Sequence, residues 1–190
     1  MRLILASASP RRADLLRGAG IDVDIQPADV DERIGVGEGA EAYVRRVAEA
    51  KARAISERAG DRFVLGADTA VVVDGEILGK PSDPGDAARM LAMLSGRTHQ
   101  VMSGVSLMRQ GFPAVNTRVD VTVVEFAPLS RPEIDWYVAS RESNDKAGGY
   151  AIQGLASRFV TRIDGSYSNV VGLPMALVYQ MCAEAGLLLS

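Results

Sequence analysis

The sequence predicts a mixed α/β fold, because segments with the two-residue period of strands alternate along the chain with segments of helical period. Turn signals such as Asp74-Gly75 join some neighbouring strands directly as hairpins. Hairpins make antiparallel strand pairs, whereas helical crossovers make parallel ones. We therefore expect a mixed sheet flanked by helices rather than a purely parallel sheet.

Apolar runs and the residues that interrupt them define the elements of the first half of the chain. Ser9-Pro10 is typical of the N-cap and first residue of a helix, and Gly18 is a stop signal. A second helix has apolar residues at helical spacing and stops before Gly60. The predicted elements are strands at 2–6, 23–25, 63–73 and 76–79, and helices at 10–17 and 40–59.

The second half shows the same alternation. A long hairpin is predicted across the turn 110–113, and alternating valines in its second arm support a strand. Ser130 and Glu133 have the spacing of a capping box, and 165–167 is predicted as a turn. The predicted elements are strands at 98–109, 119–126 and 159–163, and helices at 84–94, at 131–139 and from Pro174 onward.

The length and composition are typical of a globular protein with one large domain or two closely fused domains. Of the 190 residues, 47% are apolar and 24% are charged, so the chain can bury a sizeable core. The 21 basic and 24 acidic residues are spread along the chain and leave a net charge of -3. Duplex nucleic acid and an anionic membrane surface are therefore not expected as main partners.

The hydropathy of the chain indicates its location in the cell. Its single cysteine and single histidine limit the kinds of metal site and catalysis that it can support. No apolar run approaches the roughly 20 residues that span a bilayer, and the first apolar run is too short for a signal peptide, so a cytoplasmic location is expected. Cys182 is the single cysteine and is expected in the core, and His99 is the single histidine and is expected in a structural role. A bound metal must then have oxygen ligands, which favours a divalent cation such as Mg or Mn.

Arg11 and Arg12 lie in the first turn of a predicted helix, where the positive end of the helix dipole disfavours cations. A phosphate bound at the loop 7–9 would reverse that effect, because its negative charge attracts the arginines. Backbone N–H groups, a serine hydroxyl and a guanidinium would bind it. Alternatively, both arginine side chains turn away into solvent. The pattern alone leaves both interpretations open.

Asp68 interrupts the most apolar stretch of the sequence, 64–73. Burying a carboxylate is costly unless it is paired, neutralised or bound to a cation. Asp68 is therefore a candidate metal ligand and a candidate general base for water. It could instead close a turn at the strand end by bonding to its own backbone.

Two lysines are candidate phosphate ligands. Lys51 falls within an apolar helical stripe, where it pairs with an anion or extends past small neighbours to solvent. That stripe consists of Val44, Val47, Ala48 and Ile55. Lys80 follows the strand that returns from the Asp74-Gly75 turn towards the Asp68 strand. It either binds a phosphate close to Asp68 or is simply solvated.

Two loops supply further candidates. Glu32 belongs to the acidic group 29–32, and it either joins Asp68 around a cation or lies in a solvated loop. The segment 145–154 is rich in glycine, so its backbone can approach a ligand closely. Gln153 within it carries an amide that both donates and accepts, which suits the edge of a nucleobase.

Six short motifs along the chain together resemble the Maf family of nucleotide pyrophosphatases, and the resemblance covers essentially the whole sequence. The motifs are Ser7-Ala8-Ser9-Pro10-Arg11-Arg12, Gly66-Ala67-Asp68-Thr69, Gly79-Lys80-Pro81, Ser95-Gly96-Arg97-Thr98-His99-Gln100-Val101, Asp145-Lys146-Ala147-Gly148 and Val171-Gly172-Leu173-Pro174. The resemblance implies a single domain over residues 1–190, in which an elongated mixed sheet forms two lobes with a central cleft, similar to the inosine triphosphate pyrophosphatases. It also implies a possible homodimer.

The resemblance implies hydrolysis of a nucleoside triphosphate to the monophosphate and pyrophosphate. Asp68 would accept the proton of the attacking water and bind a divalent cation together with Glu32. Ser9, Arg12, Lys51 and Lys80 would bind the phosphates.

Base preference divides the family at three positions, and here they carry Arg11, Thr69 and Gln153. These residues match the branch that acts on dTTP and UTP, and the branch that acts on 7-methyl-GTP carries Trp, Gln and Glu instead. An aromatic plane and a carboxylate suit a cationic methylated guanine, and this chain lacks both there. Modified pyrimidine nucleotides, 7-methyl-GTP and a non-catalytic nucleotide-binding role in cell division remain as alternatives.

Overall fold

A computed structural model describes residues 3–110 and 116–187, so positions 111–113 of the predicted turn lie outside the described part. The strands are β1 (Leu3–Leu5), β2 (Val23–Ile25), β3 (Val64–Val73), β4 (Glu76–Leu78), β5 (Thr98–Met108), β6 (Asn116–Phe126) and β7 (Val160–Asp164). The helices are α1 (Pro10–Gly18), α2 (Ala40–Ser56), α3 (Pro84–Leu94), α4 (Arg131–Ala139), α5 (Tyr167–Val171) and α6 (Met175–Glu184). Short 3₁₀ turns cover Ala147–Gly149 and Leu155–Phe159.

The strands form one seven-stranded sheet in the order β2-β1-β3-β5-β6-β7, and β4 pairs with β3. Strand β1 runs parallel to both β2 and β3, with Leu5 opposite Leu65. The pairs β3–β4 and β6–β7 are antiparallel. The predicted mixed α/β sheet is therefore confirmed.

The predicted turn and cap signals are confirmed where the chain reverses. Asp74 and Gly75 have φ values of 51° and 80°, and two successive positive φ values produce the twist of a two-residue hairpin. Ser130 and Glu133 form the capping box of α4. Helix α2 ends at Ser56 instead of Ala59, because the backbone continues with i→i−3 hydrogen bonds that tighten the final turn.

One helix was not predicted from the sequence, and the sequence analysis left open which face of one strand is buried. The segment after Gly165 contains the five-residue helix α5, which is too short to produce a periodic apolar signal. In β6 the alternating valines lie on the more exposed face, with Val121 at 43% exposure, whereas Val124 and Phe126 face the core. Alternation indicated the strand correctly but not which face is buried.

The chain forms two compact units. Unit 1 comprises Met1–Thr69, Ser103–Asp120 and Gly172–Ser190, and unit 2 comprises Ala70–Met102 and Val121–Val171. In unit 1, alternate strand residues form two buried clusters. One joins Leu3, Leu5, Leu65, Ala67, Val105 and Leu107 to residues of α1 and α6, and the other joins Ile4, Ala6 and Val64 to Ala52 and Ile55 of α2.

Two glycines let α2 lie close to the sheet of unit 1. A Cβ atom added at Gly66 of β3 would lie 2.2 Å from the carbonyl oxygen of Ala48. One added at Gly104 of β5 would lie 2.2 Å from the carbonyl oxygen of Val44. Any side chain at either position would push α2 outward, so these glycines set the depth of the helix.

Unit 2 contains a buried aromatic cluster around His99. The His99 Nε2 atom lies 2.8 Å from the hydroxyl oxygen of Tyr150, and the imidazole also packs edge-on against Phe126. Burial lowers the pKa of His99 to about 4. The structural role predicted for His99 is confirmed, and so is the core position of Cys182 in α6. Among the helices of the described residues, none has both the length and the apolar character to cross a bilayer.

Candidate active site

Asp68 lies near the middle of β3 and is only 6% exposed. Because side chains alternate along a strand, Asp68 shares the α2 face of the sheet with Val64 and Gly66. Its Oδ1 atom accepts a hydrogen bond, but its buried Oδ2 atom has no partner among the described residues. A buried carboxylate oxygen without a donor is uncommon and indicates a place for a ligand or a proton.

Lys51 is the direct partner of Asp68. It lies on the inward stripe of α2, and its Nζ atom donates to Asp68 Oδ1 at 2.8 Å. The close approach of α2 at Gly66 brings the lysine within reach of the strand. Of the two alternatives left open for Lys51, pairing with an anion and extension to solvent, the structure shows the pairing.

Glu32 completes this cluster, because its Oε1 atom lies 2.6 Å from Lys51 Nζ. Lys51 therefore contacts two carboxylates, one buried and one 43% exposed. The hydroxyl of Tyr43 donates a hydrogen bond to the backbone carbonyl of Glu32 at 3.1 Å. Burial raises the pKa of Tyr43, and the charges of Asp68 and Glu32 raise it further, so the phenol stays protonated.

Arg12 is buried and links separate segments of unit 1. Its Nε atom donates to the carbonyl of Gly172 at 2.8 Å, and its Nη1 atom donates to the carbonyl of Ala67 at 2.8 Å and to Ser7 Oγ at 3.1 Å. Its Nη2 atom donates to Thr69 Oγ1 at 3.0 Å. Burial lowers the pKa of Arg12, while the charge of Asp68 acts in the opposite direction. The side chain points inward and is not solvated.

The loop before α1 lies at the N-terminus of that helix and next to two arginines. Ser9 is the N-cap residue, and its side chain makes no capping hydrogen bond. Its backbone N–H instead donates to Ser7 Oγ at 3.2 Å. Arg11 is partly buried beside Arg12, and its positive charge contributes to the lowered pKa of Arg12. Two cations and a helix N-terminus thus meet at one place.

Thr69 lies on the opposite face of β3 from Asp68, as strand alternation requires. Its Oγ1 atom donates to the carbonyl of Gly172 at 3.2 Å and lies 2.8 Å from Ser103 Oγ. It also accepts from Arg12. The hydroxyl of this candidate specificity residue is therefore fully used within the protein.

Lys80 and Gln153 belong to unit 2, and both side chains are exposed. Lys80 follows Gly79, whose carbonyl accepts a hydrogen bond from the N–H of Gly148 at 3.0 Å. Gly148 has a φ of 67°, and a Cβ atom there would lie 2.9 Å from Val71. The glycine-rich segment is thus fixed against β3 and beside Lys80.

The carboxylates of unit 1 fit a magnesium-type ion bound mainly through a substrate. Asp68 and Glu32 approach the same lysine, and Asp68 Oδ2 has no partner in the described part of the chain. Within residues 3–110 and 116–187, no group of three or more His, Cys, Asp or Glu side chains could hold a metal. Magnesium characteristically uses one or two carboxylates and completes its shell with phosphate oxygens and water.

Comparisons with known proteins identify the family of this chain. The family model described as Maf-like protein matches residues 2–185. The chain belongs to the Maf family. Curated relatives that are about half identical to this chain match it over nearly its whole length. A dTTP/UTP pyrophosphatase of Anaeromyxobacter sp. (strain Fw109-5) is 50% identical over 97% of this chain and 90% of its own length.

Two further relatives carry the same name. The dTTP/UTP pyrophosphatase of Koribacter versatilis is 50% identical over 99% of this chain and 96% of its own length. That of Geobacter metallireducens is 47% identical over 98% and 97%, respectively. The Maf match therefore spans both units rather than one of them.

Sequence reasoning missed Tyr43 and Ser103 of the candidate site, and it gave Gly172 only as part of a motif. Tyr43 shares the buried face of α2 with Lys51, and its position there could have indicated that its hydroxyl needs a partner. Ser103 and Gly172 meet Thr69 through contacts 34 and 103 residues apart along the chain, which no local pattern indicates. These contacts depend on the tertiary fold alone.

Proposed function

We propose that this protein is a nucleoside triphosphate pyrophosphatase that hydrolyses dTTP and UTP to the monophosphate and pyrophosphate. The observation that carries this function is the cluster of Asp68, Lys51 and Glu32, in which one buried carboxylate oxygen has no partner among the described residues. The names of the relatives and the match at Arg11, Thr69 and Gln153 support the pyrimidine substrates.

Asp68 acts as the general base in this mechanism. Its Oδ1 atom is fixed by Lys51, which leaves Oδ2 to accept a proton from water. The water oxygen bonds to the α-phosphorus, the bond from that phosphorus to the bridging oxygen breaks, and pyrophosphate leaves with the bonding electrons. A positioned base of this kind typically contributes about 10²–10⁴-fold to the rate.

Asp68 and Glu32 would hold the divalent cation, Mg or Mn. When bound, such a cation supplies positive charge that stabilises the developing charge on the phosphate oxygens. Lys51 keeps the two carboxylates together at 2.8 Å and 2.6 Å from its own nitrogen. The cation and Lys51 together offset the charge of the carboxylates beside an anionic substrate.

The phosphates are bound by Ser9, Arg12, Lys51 and Lys80 in this proposal. In the part of the chain that the structure describes, Arg12 uses four of its five N–H donors. The remaining N–H on Nη2 is the donor available to a phosphate oxygen. Arg12 is therefore fixed in direction before the substrate arrives, which reduces the entropy lost on binding.

Arg11, Thr69 and Gln153 select the base. The hydroxyl of Thr69 is held by Arg12 and Gly172, so Thr69 acts through its position and shape. Gln153 supplies an exposed amide that donates and accepts, as the edge of uracil or thymine requires.

A cytoplasmic location is part of the proposal, since nucleotides are made there and thiols such as that of Cys182 stay reduced. A homodimer is also part of it, and light scattering tests that state.

The decisive test measures pyrophosphate release from dTTP, UTP, CTP, 5-methyl-UTP and 7-methyl-GTP with Mg or Mn. Wild type is compared with Asp68→Asn and with the exposed control Asp22→Asn. We expect release from dTTP and UTP that falls at least about 100-fold in Asp68→Asn and persists in the control. Release mainly from 7-methyl-GTP would overturn the branch, and tight nucleotide binding without turnover would favour a regulator.

A further inference from the structure

Glu32 lies on a long irregular segment, residues 26–39, which connects β2 to α2. Its carboxylate nevertheless lies 2.6 Å from Lys51 Nζ, although the side chain is 43% exposed. A carboxylate on an irregular exposed loop keeps such a position only when the backbone beneath it is restrained. The restraint on this loop therefore matters for the site.

Helix α2 holds three consecutive carbonyl groups of this loop. Arg46 donates through Nη1 to the carbonyl of Asp31 at 3.3 Å and through Nη2 to the carbonyl of Arg33 at 2.9 Å. Tyr43 donates its hydroxyl to the carbonyl between them, that of Glu32, at 3.1 Å. The backbone on both sides of Glu32 and at Glu32 itself is therefore bonded to one helix.

Tyr43 and Arg46 support each other. They are three residues apart, so they share a face of α2, and the guanidinium carbon of Arg46 lies 5.7 Å from the centroid of the Tyr43 ring. Lys51 belongs to the same helix. One rigid element thus positions both the lysine and the loop that brings Glu32 to it.

The carboxylate of Glu38 holds the guanidinium of Arg46 in place. Glu38 accepts from Arg46 Nε at 2.6 Å and from Arg46 Nη2 at 2.8 Å, and it also accepts from the N–H of Gly35. The hydrogen bond with Arg46 lowers the pKa of Glu38 to about 2. The pair stays ionised near neutral pH, and its two parallel bonds set the plane of the guanidinium.

We propose that Tyr43 and Arg46 are positioning residues that place the Glu32 carboxylate for divalent-cation binding. This role rests on the proposed function through the assignment of Glu32 as a metal ligand. Charge and geometry predict opposite effects when Arg46 is removed. Loss of a nearby positive charge alone would strengthen cation binding, whereas loss of the clamp on the loop weakens it.

The test uses the full chain as wild type, Arg46→Met, Arg46→Lys and Tyr43→Phe. Arg53→Met is the matched control, because Arg53 lies on the same helix in an exposed pair with Glu49. Mn²⁺ affinity is measured by electron paramagnetic resonance of the unbound ion, both without nucleotide and with a non-hydrolysable dTTP analogue, and is corrected for binding to the analogue alone. Amide hydrogen exchange of residues 31–38 and the melting temperature are measured on the same samples.

We expect Arg46→Met to weaken Mn²⁺ binding by about 10-fold and to speed exchange in 31–38, with Tyr43→Phe showing a smaller effect of the same sign. Arg46→Lys keeps the charge but lacks the planar fork, so it should resemble Arg46→Met. Arg53→Met should match wild type. Exchange at amides far from the loop should stay unchanged in all variants, which excludes global unfolding.

Unchanged or tighter Mn²⁺ binding in Arg46→Met, with normal binding by wild type, would overturn the positioning role and leave the proposed function intact. Faster exchange in 31–38 without weaker Mn²⁺ binding would overturn it as well. Failure of wild type to bind Mn²⁺ in both conditions would instead remove the metal role of Glu32, and the positioning role with it. Pyrophosphate release by wild type in that case would show that the proposed function stands and that the metal role of Glu32 has failed.

Discussion

The Nζ atom of Lys51 lies 2.8 Å from Oδ1 of Asp68, and each side chain is less than a tenth exposed. A lysine at that position in α2 and a carboxylate in the middle of β3 would each be costly to bury alone. Paired, they leave the second oxygen of Asp68 available for chemistry. The pair thus connects the stability of unit 1 to the proposed reaction.

Lys51→Met should destabilise the protein by about 3 kcal/mol, because it leaves the buried carboxylate of Asp68 without its cation. Urea unfolding near neutral pH measures this loss. In a double-mutant cycle, Asp68→Asn should recover about 1 kcal/mol or more of it, since the two changes remove one interaction. Strict additivity of the two single changes would show that the pair contributes nothing.

Arg12→Met should destabilise unit 1 by about 4 kcal/mol, because buried acceptors including the carbonyls of Ala67 and Gly172 lose their donor. Arg17→Met is the control on the same helix, since the Arg17 side chain is 53% exposed. That control should change stability by less than about 0.5 kcal/mol. Equal effects of the two substitutions in thermal unfolding would argue against a structural role for Arg12.

Gly66→Ala should destabilise the protein by about 2 kcal/mol, because the added Cβ atom would lie 2.2 Å from the Ala48 carbonyl and push α2 away from β3. Turnover should fall too, since α2 carries Lys51. Gly18→Ala is the matched control, because a Cβ atom there meets nothing within 4 Å. A wild-type denaturation midpoint for Gly66→Ala would contradict the close packing of α2.

Much of the fold could be predicted because its signals are local. Asp74-Gly75 specifies a two-residue hairpin through positive φ values, and Ser130 with Glu133 specifies a helix start through capping. Helix α5 escaped prediction because five residues span little more than one helical turn. The buried face of β6 also escaped, because valines at alternate positions do not indicate which side of a sheet is covered.

The candidate site was predicted less evenly. The burial cost of Asp68 and Lys51 could be inferred from their apolar neighbours, and each of them proved to be the partner of the other. The contacts of Thr69 with Ser103 and Gly172 could not be inferred, because they join distant segments. The catalytic, metal-binding and substrate-binding roles of all the candidate residues remain predictions, and those of Ser9, Lys80 and Gln153 rest on the resemblance alone.

Stability should fall as the pH drops from 6.5 towards 4, because of His99. Burial lowers the pKa of the folded-state imidazole from 6.5 to about 4, so between these values the unfolded chain binds a proton and the folded chain does not. Between pH 7.5 and 5 the loss from this group should be about 2 kcal/mol. His99→Gln should make urea unfolding less dependent on pH across that range. An equally steep dependence in the variant would assign the effect to other groups.

The most direct test of the proposed reaction is hydrolysis of dTTP by wild type in ¹⁸O-labelled water, with mass analysis of both products. Attack on the α-phosphorus by a water activated at Asp68 predicts one labelled oxygen in thymidine monophosphate and none in pyrophosphate. Label in pyrophosphate, or release of orthophosphate in its place, would contradict the proposed site of attack.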